Sequence, residues 1–295
     1  MTANTGSKRG VVNVDALYLA DLDSEPEQAA TQVIEEDALT LDVEGVGQYM
    51  LMWTPTTTVE HAHGFTLEDG VLGDVDAPEG LALAMGFALS EGLIGNLSDI
   101  KSVSVCADNP KVVQVQLHDP ASVQVGRKDV VINSSCGICG PRDILEDNAL
   151  GLCAVPETLS VDRTDFLSLM TQMQERQLIF QETGGSHAAA IFDSAAKVLA
   201  VAEDLGRHNA LDKAIGAVLL ERGDLSACGV VLSSRLSLEM VLKAVRAGLE
   251  IMLAVSAPTS LAIEVAEKFG VTLCGFVRGT RATVYTHSQR IVSKP

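Results

Sequence analysis

Cys136 and Cys139 stand two residues apart in the stretch INSSCGICGPRD, each followed by a glycine. A CxxC pair supports three chemistries: half of a zinc site, a redox disulfide, or a nucleophilic thiolate that carries sulfur. Structural zinc needs two further ligands, usually from a second CxxC or an HxxxH, and the sequence has neither, so Cys153 and the scattered histidines would have to be recruited irregularly. Zinc deaminases join H-x-E to P-C-x-x-C, but His61-Ala62-His63 lacks the glutamate, and Ser135 rather than proline precedes Cys136. A thioredoxin-type disulfide sits at a helix start that lowers the thiol pKa, whereas Gly137, Gly140 and Pro141 favour an open loop. A loop that can swing suits the third chemistry. There a thiolate attacks a sulfur donor, holds the sulfur as a persulfide and presents it to an acceptor. One cysteine carries the sulfur while its neighbour assists transfer or releases it as a disulfide, and the spacing does not say which.

The surrounding chain bounds what such a pair can serve. Its 295 residues can bury a sizeable core, as one large domain or two medium ones. With 39 acidic against 21 basic residues, a net charge of -18, the mean field repels nucleic acid and anionic membranes. An anionic ligand therefore has to be held by a local concentration of cations. No apolar run reaches the roughly 18 residues of a membrane span, and the N-terminus lacks a signal-peptide core. Six cysteines are too sparse for a disulfide framework and fit a reducing compartment. The expectation is a cytoplasmic protein with neither nucleic acid nor membrane as partner.

The elements that would position the thiols follow from periodicity. Residues 1–34, rich in Ser, Thr, Asp, Glu and Ala without steady period, read as a mobile tail. From Leu39 to Trp53 alternation predicts a hairpin with Gly45 and Gly47 in its turn, and the acidic, glycine-rich stretch after it reads as a surface excursion. A helix is predicted over 81–95, then two strands, KSVSVCA and KVVQVQLH, parted by a turn at Asn109-Pro110. After Pro156 helical and β-branched segments alternate: helices at 162–175, 208–221, 237–247 and 259–269, strands near 188–203, 228–233, 250–255 and 271–276. Such alternation predicts an α/β layered domain. The predicted organisation is a tail (1–34), a smaller N-terminal α+β subdomain with the CxxC loop (35–156) and a C-terminal α/β subdomain (157–295).

SSCGICG is followed in order by ETGGSHAAA, AEDLGRHNALDKAIG, SLEMVLKAVRAG and SAPTSLAIEVAEKFGVTLCGFVRG. On these segments the chain, from Glu35 to Ile291, resembles the formate dehydrogenase accessory sulfurtransferase family. The resemblance implies a fold like that of cytidine deaminases without their zinc site. It implies a protein that accepts sulfur from a cysteine desulfurase as a persulfide and passes it to the molybdenum cofactor, in its Mo-bis-molybdopterin guanine dinucleotide form, for the formate dehydrogenase catalytic subunit. Carried over by position, Cys136 matches the persulfide-carrying cysteine and Cys139 its partner. A homodimer is also implied. The alternative from another class is a non-catalytic carrier or chaperone of the cofactor, its cysteines only stabilising a loop. Two departures stand out: Ser234 precedes Arg235 where the family usually has glycine, and the excursion over 57–80 is longer than usual.

An acceptor of that kind is a large anion, so its site needs cations, close backbone approach and a surface for a base. The segment FVRGTR, which matches the family's nucleotide-binding segment, offers Phe276 to lie against guanine, Arg278 and Arg281 for phosphate and Gly279 for close approach, with Val277 and Thr280 between them. The plainer reading is a strand and turn with solvated arginines. EDLGRHNALDK groups Glu203, Asp204, Arg207, His208, Asn209, Asp212 and Lys213 at a predicted strand-to-helix junction, where ligand-binding groups collect in open α/β sheets. The same residues also suit a capped amphipathic helix with solvated charges. Gly184 and Gly185 before His187 allow close approach to a ligand or simply make a turn. The expected binding set is Phe276 to Arg281 with His187, Arg207 and His208, and no metal-ligating residues.

Overall fold

The computed structural model describes residues 10–22, 25–56, 64–65, 79–105, 109, 111–123, 130–132 and 152–293. The Cys136 and Cys139 loop, and most of the 57–80 excursion, lie outside these residues. The first part of the chain supplies β1 (Val11–Tyr18), β2 (Glu27–Ile34), β3 (Asp37–Val43), β4 (Gly47–Trp53), β5 (Gly64–Phe65), α1 (Glu79–Ser90), β6 (Ile100–Val105), β7 (Val112–Leu117) and β8 (Val130–Ile132). Strands β3 to β8 form a six-stranded sheet in the order β5-β6-β7-β3-β4-β8. Alternation in β3 and β4 turns Leu39, Leu41, Val43, Tyr49, Leu51 and Trp53 to one face, as the period of two requires. α1 covers that face, its Phe87 ring 5.6 Å from the Tyr49 ring.

The second part supplies β9 (Val161–Asp162), α2 (Asp165–Glu175), α3 (Leu178–Thr183), β10 (His187–Phe192), β11 (Val198–Asp204), α4 (Arg207–Arg222), β12 (Gly229–Leu232), α5 (Leu238–Arg246), β13 (Ile251–Ala254), α6 (Ser260–Phe269), β14 (Thr272–Arg278), β15 (Arg281–Val284) and β16 (Ile291–Val292). Its six-stranded sheet runs β11-β10-β12-β13-β14-β15, with β12, β13 and β14 parallel and linked through α5 and α6. Every residue of β12 and β13 is buried, because α4 and α5 cover one face and α2 the other. Continuous apolar runs such as GVVL and IMLA are what such doubly covered strands require.

Several elements differ from the sequence reading. Residues 11–34 were expected as part of a tail, yet β1 and β2 pair antiparallel along their whole length, Val11 opposite Ile34 and Tyr18 opposite Glu27. The base of this ribbon is anchored: Glu35 donates its N–H to the Gly10 carbonyl at 2.9 Å, and Gly10, in the left-handed region at φ +85°, lies so close to Ile179 of α3 that a Cβ would stand 2.8 Å from its Cδ1. Composition alone missed it because most of its side chains, apolar ones such as Val12, Val14 and Leu17 included, are exposed, so no buried face marks the pair. α3 was not foreseen, being six residues long, and neither was β15, whose four residues RATV are too short a run to show a period.

The two sheets are joined through one helix pair. α1 is buried from Gly80 to Ser90 and crosses α4 so closely that a Cβ on Gly86 would stand 1.7 Å from the Asp212 carbonyl oxygen, and one on Gly216 1.8 Å from that of Ala82. One apolar cluster runs unbroken from Leu39 in the first sheet through this contact to Leu273 in the second. Elsewhere in a helix Gly→Ala gains roughly 1 kcal/mol, but here the backbones themselves touch. Gly216→Ala should therefore lower stability by about 3 kcal/mol or more through forced separation of the helices. Urea unfolding checks this, and a loss below about 1 kcal/mol would contradict the contact.

Candidate functional site

Strand register brings the chemistry-bearing segments to one edge of the second sheet. His187 opens β10 opposite Asp204 at the end of β11, and Ala189 faces Leu232 at the end of β12. Leu232 in turn faces Ala254 at the end of β13, beside the outgoing end of β14. This is the edge at the carboxyl ends of the parallel strands, where open α/β sheets bind ligands. Along it stand Arg207 at the start of α4, His187, the loop Ser233 to Arg235, Val255 with Ser256, and Phe276 to Arg281.

Phe276 has an unusual backbone. Its φ is +54°, in the left-handed region, where the pairing of β14 with β15 slips between Gly275 and Arg278. Such a conformation costs a non-glycine residue about 1 kcal/mol or more. Contacts behind it impose the conformation: Gly275 lies against the next loop, where a Cβ would stand 3.0 Å from the Ser256 carbonyl oxygen, and Phe276 donates its N–H to that oxygen at 3.3 Å. The slip turns the ring outward, 51% exposed, while Val277 is buried beneath. Arg278 donates from Nη1 to the carbonyls of Val255 at 2.8 Å and Val277 at 2.7 Å, and it is paired in register with Arg281 across the turn at Gly279 and Thr280. Two exposed cations set opposite each other repel, and a bound anion reverses the sign of that interaction.

The EDLGRHNALDK segment divides. Glu203 caps α3, accepting the N–H groups of Ile179 at 2.9 Å and Phe180 at 3.0 Å. Asp204 accepts the Thr54 and Gly206 N–H groups and pairs with Lys213 at 2.9 Å. Lys213, 1% exposed, also donates to the Thr54 carbonyl, reaches Glu79 at 3.2 Å and lies 5.0 Å from the Trp53 ring centre. Asn209 donates to the Met52 carbonyl. Asp212 meets Lys243 of α5 at 2.8 Å, and Lys243 meets Glu91 at 2.8 Å. Burial alone would lower the pKa of Lys243, but Asp212 and Glu91 outweigh it and hold the amine above its ordinary value. These residues join α1, α4, α5 and β4. His208 acts on Glu91, whose pKa it helps to lower.

Arg207 and His187 do come together. Burial lowers the pKa of His187, and the charges of Arg207 and Arg235 lower it further, with Asp204 opposing. Arg235 was missed by sequence reasoning, which singled out Ser234; its signal was its place just past a buried strand in a chain otherwise poor in cations. Ser234 is buried and donates to the Arg235 carbonyl at 3.2 Å. Cys136 and Cys139 lie outside the described residues. Of the described cysteines, Cys153 is exposed, while burial pushes Cys228 up and Cys274 up to about 12, which leaves both as unreactive core thiols. No three His, Cys, Asp or Glu side chains converge as metal ligands among the described residues, and none of their helices is long and apolar enough to cross a membrane.

Comparison with known proteins places this geometry. Residues 76–292 match the model of the FdhD/NarQ family. The chain is 42% identical over 212 residues to the sulfur carrier protein FdhD of Sulfurisphaera tokodaii, covering 71% of this chain and 79% of that one. It is 37% identical over 273 residues to the protein of the same name from Bordetella bronchiseptica, covering 90% of each. A solved chain from Desulfotalea psychrophila, described as a formate dehydrogenase accessory protein, shares the fold with a TM-score of 0.70 over 96% of this chain and 99% of that one, at 18% identity.

Phe276 buries little and holds a strained backbone, so Phe276→Gly should leave stability unchanged or raise it by up to about 1 kcal/mol. Thermal unfolding of the two proteins checks this. A marked drop in melting temperature would mean that the ring supports the fold.

Proposed function

Because this chain belongs to the FdhD/NarQ family, we propose that it is a sulfurtransferase that accepts sulfur from a cysteine desulfurase on Cys136 and delivers it to the molybdenum cofactor used by formate dehydrogenase. The names of its relatives, sulfur carrier proteins, support the carriage of sulfur, and the description of the solved structure supports the client enzyme. What carries the reading is the joining, in one acidic chain, of the Cys136 and Cys139 pair with an exposed, strained Phe276 flanked by Arg278 and Arg281. An exposed aromatic with neighbouring guanidiniums suits a guanine nucleotide, the base against the ring and the phosphates on the cations. The bis guanine dinucleotide form of the cofactor is the acceptor this site fits. In the same proposal the chain works in the cytoplasm as a homodimer, on a sheet layered like that of cytidine deaminases.

The chemistry balances within the thiol pair. The Cys136 thiolate attacks the outer sulfur of the donor's persulfide, the donor's S–S bond breaks, and its cysteine leaves as a thiolate. Cys136 then carries the added sulfur. Attack by the Cys139 thiolate on Cys136 Sγ forms a disulfide and releases the outer sulfur as sulfide, so the two cysteines supply the two electrons that take sulfane sulfur to sulfide. A cellular dithiol restores the pair. In this scheme Cys136 is the nucleophile and carrier, and Cys139 the resolving thiol.

Incubation with a cysteine desulfurase and cysteine should add one sulfur, about 32 Da, to the chain, removable by reductant. Intact-mass and peptide spectra should place it on Cys136 and find none on Cys136→Ala. An unmodified wild-type chain, or an equal adduct on Cys136→Ala, overturns the assignment. Restoration of formate dehydrogenase by a Cys136→Ala, Cys139→Ala double variant would establish a non-catalytic carrier instead.

A further inference from the structure

The β1 and β2 ribbon turns its apolar face away from the molecule. Val11, 5% exposed, and Ile34 opposite it pack on the body, Ile34 so close to Gly185 that a Cβ there would stand 3.1 Å from its Cγ2. With a period of two, that anchored face continues as Asn13 opposite Gln32, Asp15 opposite Ala30 and Leu17 opposite Gln28. The reverse face carries Val12 opposite Val33, Val14 opposite Thr31, Ala16 opposite Ala29 and Tyr18 opposite Glu27. It is largely apolar, yet Val12, Val14, Val33 and Tyr18 are between 37% and 61% exposed. Past the strand Leu19 and Leu22 are exposed as well, and α3, which meets the ribbon's base through Ile179, exposes Leu178 and Phe180. A two-stranded ribbon is marginal in water by itself, and contiguous exposed apolar surface marks an interaction site.

Charge selects what covers it. From Gly10 to Ile100 the sequence has no lysine or arginine, and Asp15, Asp21, Glu25 and Glu27 stand along the ribbon and its turn. A second copy of this chain would bring the same carboxylates and a net charge of -18, so like charges would meet. The complement is a protein surface with an apolar centre and a rim of lysine and arginine. Topology selects among proteins. The ribbon runs into β3 at Asp37, and β8 ends at Ile132, beside Leu51 of β4, at that same end of the first sheet. Cys136 follows Ile132 by four residues in the sequence.

We infer that the ribbon is the docking arm for the protein that donates sulfur to Cys136, and that its apolar face seats on a basic-rimmed patch of that donor. This rests on the reading of the chain as a sulfurtransferase. The donor is the partner that has to reach the thiols themselves, and a protein seated on the ribbon stands at the sheet end from which the chain runs on to Cys136.

Loading of the full chain at rising concentrations of a cysteine desulfurase with cysteine, read by intact mass, tests the arm. The comparison is loading from glutathione persulfide, a small donor that needs no docking surface. Val12→Thr, Val14→Thr and Tyr18→Ser, combined, keep β-branched residues in β1 and remove exposed apolar groups, so the variant should melt with wild type. It should need about tenfold or more desulfurase for half-maximal loading rate, with loading from glutathione persulfide unchanged. Asn13→Ala with Gln32→Ala, on the reverse of the ribbon, should load as wild type does from both donors. Asp15→Asn with Glu27→Gln should flatten the salt dependence of loading by the desulfurase. An unchanged desulfurase requirement in the triple variant, or equal slowing with both donors, overturns the arm and leaves the sulfurtransferase reading standing. A triple variant that sediments as a smaller species while the desulfurase still loads it normally shows a second copy on the face and overturns the arm too. Wild type that takes no sulfur from the desulfurase overturns the sulfurtransferase reading, and the arm with it.

Discussion

The contact between α1 and α4, where Gly86 and Gly216 leave no room for a β-carbon, is the constraint on which the rest of the structure depends. Only backbone fits there, so the helices lie at their closest possible approach. Each is then locked in register by a buried lysine: Lys213 of α4 binds Glu79 at the start of α1, and Lys243 of α5 bridges Asp212 of α4 to Glu91 just past its end. A buried cation without its anions would be costly by several kcal/mol, so these pairs specify one arrangement more than they add stability. The first sheet reaches the second through this pair, by way of Tyr49 on Phe87 and of Thr54 on Asp204 and Lys213.

From that constraint the site follows. The register of α4 sets where its first residue, Arg207, stands, and the same Asp204 that binds Lys213 lies opposite His187 at the sheet edge. The edge is thus built on the rigid side of the molecule, while its outer end, the turn from Phe276 to Arg281, is held in a strained conformation by the loop after β13. In a chain of net charge -18, the cations gathered there run against the mean field. In the proposed function an anionic acceptor offsets them.

Periodicity made much of this legible. Doubly buried strands and the helices between them carry dense apolar patterns, so the alternation after Pro156 was visible, as was the hairpin of β3 and β4. Elements held by few apolar contacts were not: the β1 and β2 ribbon, α3 and β15 depend on anchoring groups, such as Gly10 on Ile179, that lie far apart in sequence. The polar motif EDLGRHNALDK illustrates a second limit. Adjacent residues of a helix point to different neighbours, so Lys213 and Asp212 enter separate buried networks while Arg207 turns to the sheet edge, and no spacing rule separates them. The thiol chemistry was read from spacing and resemblance alone, since Cys136 and Cys139 lie outside the described residues.

The central claim is that sulfur loaded on Cys136 leaves for an acceptor held at the sheet edge. The most direct measurement loads the chain with radioactive sulfur from a desulfurase, removes the donor, adds molybdenum cofactor, and follows the label in wild type and in a Phe276→Ala, Arg281→Ala variant. The account predicts equal loading of both proteins, transfer to the cofactor by wild type, and transfer at least about tenfold slower in the variant. Equal transfer from both would show that the edge does not hold the acceptor, and a label that never leaves Cys136 would contradict sulfur delivery altogether.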